Sequence, residues 1–394
     1  MLIDIIGPAN ADLDKASYAL EVSMPSIAWA LNSTAAQLCL ALGWHRLSSI
    51  STSHNDPRDV KSALFWFAYT LDKGLALRLG RVSIMQDWDI PMPRHLLGLT
   101  IPNPWHVSLT LSVRHAEVQG KVYQQLYSTA ALTLPEEERV KCVRNLAEEL
   151  HQLWREVTTL RETLSQERLA MGSQWLFADF FTTAIEATVL SSLTLVHRGL
   201  PWMNHQGGSV SQECIEAARA ALRTHQQTME VLHGNLQMKV MYLHWTVLYS
   251  PFIPVIVIFT DVIESSNMED LQSIAMFVES VQSVRLFSPA IDKLCQLFQM
   301  LYNVAAIYVE AKGRQPEDVT TLSMITGFDS HLHDLGFMPA KKDGVNTEAG
   351  NKTLHEASHG VQPQDWFRGY RHITGLLEHD LSDFSSLISP TATS

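Results

Sequence analysis

Apolar residues recur along this chain mainly at spacings of three and four, and strict alternation is scarce, so the pattern predicts helices almost throughout. The clearest case is Val140, Val143, Ala147, Leu150, Trp154, Val157, Leu160 and Leu164, with Glu, Arg and Lys on the other face over residues 139–168. An amphipathic helix lying on a core accounts for that stripe. Leu134-Pro135 introduces it, and Glu136, Glu137 and Glu138 put carboxylates in the first turn, where the helix dipole favours them. Residues 60–79 follow a different pattern: Leu64, Phe65, Trp66, Phe67, Tyr69, Leu71, Leu75, Leu77 and Leu79 cover nearly every face. Such a helix must be surrounded by others, which predicts an all-α, multi-helix bundle with this segment at its centre.

Gly199-Leu200-Pro201 and His205-Gln206-Gly207-Gly208 mark a loop, after which Ser209 with Gln212 has the form of a capping box; Ser266 with Glu269 has the same form later on. Further helices are expected over residues 271–287 and 289–312. Residues 240–260 are uncharged apart from neutral His244, and long and apolar enough to cross a bilayer. Pro251 and Pro254 would leave carbonyls unpaired in hydrocarbon, and the flanks carry no marked Lys/Arg asymmetry. The expectation is a buried helix, a break and a second buried helix, with no membrane partner. Residues 340–363 are polar and aperiodic and read as a flexible connector between a helical region, 1–339, and a C-terminal piece, 364–394. In that piece Trp366, Phe367, Tyr370, Ile373, Leu376 and Leu377 recur at helical spacing, and Leu381 and Phe384 follow among acidic residues. Acidic and bulky apolar residues alternate in activation segments that fold on a coactivator; a terminal helix docked on the bundle is the alternative.

The chain of 394 residues is 46% hydrophobic and 18% charged, a composition that builds a core rather than a disordered tail. Its formal charge of -12 repels phosphate and gives no basis for nucleic-acid binding. Cys39, Cys142, Cys214 and Cys295 are too widely spaced for a zinc cluster and too few for a disulfide framework, so they read as reduced intracellular thiols. The glycine-rich phosphate loop, the dinucleotide fingerprint, the Gly-x-Ser-x-Gly elbow, His-Glu-x-x-His and Asp-Asp-x-x-Asp are all absent from the sequence. His331-x-His333-Asp334 comes nearest to a metal set and lacks a fourth ligand type nearby. No enzyme activity, metal or cofactor is therefore expected.

Four motifs occur in order: Leu42-Gly43-Trp44-His45-Arg46, Phe65-Trp66 with Tyr69 and Asp72, Gly80-Arg81, and Asp87-Trp88-Asp89-Ile90-Pro91. Together they resemble the middle homology region of fungal zinc-cluster transcription factors. Tyr249-Ser250-Pro251-Phe252-Ile253-Pro254 and Trp366-Phe367-Arg368-Gly369 are similar to later parts of the same family. The resemblance implies an all-helical regulatory domain in the nucleus, acting on RNA polymerase II transcription through coregulators. The six-cysteine zinc cluster that contacts DNA in that family is missing, so no direct DNA contact is expected from this chain. Either the start lies downstream of the true one or the module has been lost, and the alternative function is a free-standing protein that pairs with a zinc-cluster partner. A small-molecule effector and a second copy of the chain complete the partner expectations; a helical enzyme of secondary metabolism would require a bound metal or cofactor.

On physical grounds Gly43 and Gly80 read as left-handed helix stops. Asp72 falls on a nearly all-apolar helix and would be costly to bury unpaired, so an ion pair with Arg81 or Arg46 is expected, with a catalytic carboxylate as the alternative. Phe65, Trp66 and Tyr69 read as core, or else as the lining of an effector cavity. His45, Arg46, Asp87 and Asp89 carry structural roles on this reading.

Overall fold

Helix follows helix in the computed structural model, which describes residues 7–22, 24–46, 57–94, 105–171, 174–200, 210–250, 252–313, 363–376 and 378, with no strand among them. The helices are α1 (Gly7–Glu21), α2 (Pro25–Ala41), α3 (Pro57–Leu79), α4 (Trp105–Val122), α5 (Glu136–Met171), α6 (Gln174–Arg198), α7 (Gln212–Val231), α8 (Leu236–Tyr242), α9 (Pro254–Ser265), α10 (Met268–Gln282), α11 (Pro289–Gly313) and α12 (Pro363–Leu376). The fold class is all-α, as the spacing predicts.

Local chemistry explains the helix ends. Three glutamates open α5, and Pro25 and Pro254 stand in the first turns of α2 and α9, where a missing N–H costs nothing. The caps differ from the expected ones by a residue or two. Ser211 caps α7 by accepting from the Cys214 N–H at 3.3 Å, whereas Ser209 lies outside the described residues. Asn267 caps α10 by accepting from the Glu269 and Asp270 N–H groups, and Ser266 instead ends α9 in the left-handed region at φ 58. Ser266 is held in the left-handed conformation that ends α9, and Asn267 after it has the extended backbone an N-cap requires.

Two apolar clusters form the core. α1, α2 and most of α3 build one, joined by Met85, Ile90 and Met92. α5 to α11 and α12 build the other around α6 and α9. α3 borders both, its Phe65, Tyr69 and Leu75 in the first cluster and Leu77 in the second, and α4 does the same.

Among the described residues, α6 over Trp175–Arg198 is long and apolar enough to cross a membrane, and 72% of its most apolar stretch is buried inside the protein. Its hydroxyls turn back on the helix, as Thr182 does to the Ala178 carbonyl at 2.7 Å and Thr194 to Leu190 at 2.8 Å, so they sit in the core without unpaired donors. Residues 240–260, the segment singled out from sequence, form α8, a π-helical turn (Leu243–Leu248) and the start of α9, all largely buried. Residues 340–362 of the expected connector, His331 and His333, and Leu377, Leu381 and Phe384 of the tail lie outside the described residues. Among the described residues no cluster of His, Cys, Asp or Glu could hold a metal ion.

Candidate functional site

The motif residues converge on the turn that follows α3. Gly80 closes that helix at φ 61, with its own N–H on the Leu77 carbonyl and the Arg81 N–H on Ala76, a left-handed stop of the kind that excludes a Cβ. Gly43 does the same after α2 at φ 73. Two short 3-10 turns, Trp44–Arg46 and Asp87–Asp89, then meet: Arg46 bonds Asp89 at 2.8 Å, and the His45 ring lies 3.7 Å from the same carboxylate. Asp87 faces inward instead, where it accepts from the Tyr69 hydroxyl, from the Lys73 ammonium at 2.8 Å and from Arg94 at 3.4 Å. Burial and the Asp87 charge both raise the Tyr69 pKa, so its hydroxyl stays a donor.

Asp72 does not form the expected pair with Arg81 or Arg46. Its buried carboxylate accepts from the Ser83 hydroxyl and from the backbone N–H groups of Ile84 and Met85, at 3.0 and 2.9 Å. Burial raises its pKa, against those hydrogen bonds and the Lys73 charge. Arg81 instead lies over the Trp29 ring at 4.6 Å, and Arg46 is taken by Asp89. The carboxylate is more use to the fold as an acceptor for a turn whose N–H groups would otherwise be buried unpaired. Sequence reasoning missed Lys73 and Arg94, although one adjoins Asp72 and the other follows the Asp-x-Asp-Ile-Pro run within the same loop. Arg94 also covers the faces of Trp66 and Tyr69 at 5.4 and 5.8 Å, which places these aromatics in core packing.

α12 docks on the bundle. Phe367 stacks on Tyr127 with ring centroids 4.3 Å apart, and Trp366 and Tyr370 are buried beside it. The Trp366 ring lies 5.1 Å from the Arg198 guanidinium, whose three nitrogens have no hydrogen-bond partner although the residue is 1% exposed. Burial lowers the Arg198 pKa. Beyond the helix, Glu378 accepts from the Ser26 N–H at 2.6 Å and so ties the far end of the chain to α2. Trp366 and Phe367 are thus packed against the bundle.

A cavity of about 440 Å³ opens on the opposite face of α3. Phe65, Trp66 and Tyr69 do not line it; Phe67, Thr70 and Leu71 do. α1, α4 and α6 supply the other walls, and the π-helical turn after α8 supplies the floor. Its place is physically reasonable, because it lies where the two apolar clusters meet and each cluster packs mainly against itself.

Comparison with known proteins gives a match over part of the chain. Residues 16–134 match the fungal specific transcription factor domain. That domain spans α1 to the turn before α5 and holds the whole Asp72 and Asp87 network, while α12 lies outside it. An uncharacterized transcriptional regulatory protein of Schizosaccharomyces pombe is 24% identical over 341 residues, which cover 81% of this chain and 51% of that relative. A negative regulator of pleiotropic drug resistance from Candida glabrata is 28% identical over 36% of this chain and 14% of its own. An ABC-transporter-regulating transcription factor from Aspergillus oryzae is 21% identical over 62% of this chain and 29% of its own. The chain thus spans about half the length of the first of these relatives and less of the others. No solved structure matches it significantly.

Proposed function

We propose that this chain regulates transcription by RNA polymerase II in a fungal nucleus, as a helical module that works through contacts with other proteins and catalyses no reaction. DNA contact is supplied by a zinc cluster, which this sequence does not contain, and coregulators read the C-terminal piece. Support comes from the fungal specific transcription factor domain at residues 16–134 and from the names of the relatives. The observation that carries the mechanism is the docking of α12: Trp366 is fully buried against the Arg198 guanidinium, whose nitrogens make no hydrogen bond. A buried charge without hydrogen bonds makes that dock weaker than its apolar area alone would suggest, so the segment is held and yet releasable.

A reporter assay tests this. The chain is tethered to DNA through a heterologous binding domain, and Trp366→Ala is compared with wild type at equal protein level. The tethered chain changes reporter output, and releasing α12 shifts that output several-fold in either direction. Reporter output that neither the wild-type chain nor the variant moves would reject the reading.

A further inference from the structure

The floor beneath α12 is cationic, and the helix that covers it is a poor electrostatic match. Arg198 is 1% exposed, its three guanidinium nitrogens make no hydrogen bond, and the Trp366 ring lies over it at 5.1 Å. Glu264 of α9 acts on it by charge alone, and burial, the larger effect, lowers its pKa. Arg78, buried at the end of α3, lies near Tyr370 and Glu378, and its Nε also makes no hydrogen bond. Above these two cations α12 sets Asp365, its one carboxylate, against Arg368 and Arg371. Asp365 pairs with Arg368 at 3.5 Å on the solvent side, and the Arg371 side chain packs over Gly80. Glu378, beyond the helix, gives its carboxylate to the Ser26 N–H. Aromatic packing is therefore what holds α12, through Phe367 on Tyr127 and the buried Trp366 and Tyr370. A buried cation without an acceptor is unfavourable, and an occupant that brought a carboxylate to Arg198 would relieve it.

We propose that the groove under α12 is a docking site for an acidic amphipathic helix of another protein, which sets aromatic anchors where Phe367 and Tyr370 lie and a carboxylate on Arg198 where α12 has Trp366. On this proposal α12 is a resident cover that the incoming helix displaces. The chain as a whole carries a charge of -12, which repels an acidic helix at long range, so a preference for one arises only from a local match. One buried charge at the floor of an apolar groove also gives selectivity, because a helix without the carboxylate leaves Arg198 without an acceptor. The α12 of a second copy would bring the same tryptophan and repeat the mismatch. The inference rests on the reading that α12 can leave the bundle, and it concerns the surface uncovered rather than the segment released.

The probes are fluorescein-labelled peptides with the sequence of residues 363–378, carrying Trp366→Glu, its neutral isostere Trp366→Gln, or no change. Each is titrated by fluorescence anisotropy into the full wild-type chain and into its Phe367→Ala variant, which takes the α12 stack off Tyr127. We expect the glutamate peptide to saturate one site per chain and to bind about tenfold or more tightly than the glutamine peptide, the worth of one charge-assisted hydrogen bond. Arg198→Met in the chain removes that difference, and Phe367→Ala strengthens binding several-fold because the groove is more often uncovered. Circular dichroism checks that each variant is folded. Binding to the Phe367→Ala chain alone keeps the groove and counts against release of α12 in the wild type, so the two readings fail separately. No saturable binding to either chain, equal affinities for the glutamate and glutamine peptides, or a difference that survives Arg198→Met overturns the acidic site. An unchanged peptide that binds more tightly than the glutamate one makes the α12 of a second copy the occupant and overturns the proposed partner.

Discussion

The Lys73 ammonium lies 2.8 Å from the Asp87 carboxylate, and its methylene stem runs across Gly120 of α4. Lys73 is 3% exposed and also donates to the Met85 carbonyl at 2.7 Å, so the loop after α3 is fastened from below by a buried charge. Removing one partner leaves the other uncompensated, which is the costly way to break such a pair.

Asp87→Asn should therefore destabilise the protein by about 3 kcal/mol, and Lys73→Met combined with Asp87→Asn should be less harmful than the two single effects summed. Urea denaturation of the four members of the cycle measures this. Strictly additive effects would show that the pair is not coupled.

Two buried arginines should behave in opposite ways. Arg139 donates to the carbonyls of Leu126, Ala131 and Gly199 at 2.8, 3.3 and 2.9 Å and so ties three separate turns with one guanidinium. The Arg198 guanidinium makes no hydrogen bond and lies against the Trp366 face. Arg139→Met should be destabilising by about 3–5 kcal/mol, whereas Arg198→Met should fall within about 1 kcal/mol of wild type or raise stability. Thermal melts of both variants decide the matter, and equal large losses would refute the contrast.

α3 and the turn after α8 approach so closely that a Cβ on Gly74 would overlap the Tyr249 hydroxyl, which donates to the Thr70 carbonyl at 2.7 Å. Gly74→Ala should be destabilising by about 1–3 kcal/mol despite the better helix propensity of alanine. Adding Tyr249→Phe, which removes the overlapping oxygen, should recover part of that loss. Gly74→Ala with wild-type stability would mean the two elements are further apart than described.

Three buried histidines set the response to acid. Burial lowers the pKa of His115 and His197 to about 4 and of His225 to about 3, against an ordinary value near 6.5. The folded state therefore binds fewer protons than the unfolded chain below pH 6.5. The stability these rings contribute is complete above about pH 6.5 and is lost as pH falls toward 3–4, at up to about 4 kcal/mol per pH unit while all three titrate. Asp261, raised to about 6, and Asp72, also raised, act in the opposite direction, because the fold favours their protonated forms. The net expectation is a urea midpoint that drops between pH 7 and pH 5. A flat midpoint over that interval would exclude the buried neutral rings.

The helix ends at Gly43 and Gly80 are governed by local rules. Gly43 and Gly80 are left-handed stops because no residue with a Cβ suits that backbone, and this holds whatever packs around them. The pairing of Asp72 differs from the expected one because proximity in a fold depends on which loop returns to the helix, and distance along the sequence does not record that. The same limit applied to the cavity. The periodicity of α3 marked an enclosed helix, but enclosed on all sides gives no clue to which side is left unfilled, and the open face proved to be that of Phe67 and Leu71.

By itself the sequence determined the helical class, the amphipathic stripe of α5, the breaks around prolines and glycines, and the motif order that leads to the fungal specific transcription factor domain. Those follow from spacings and backbone preferences that act within a few residues. Tertiary structure alone decided that Asp72 serves backbone N–H groups, that Trp366 covers Arg198, and that a cavity opens where two cores meet. Each of these joins elements far apart in the chain, where no local periodicity records which groups will meet and which will be left without a partner.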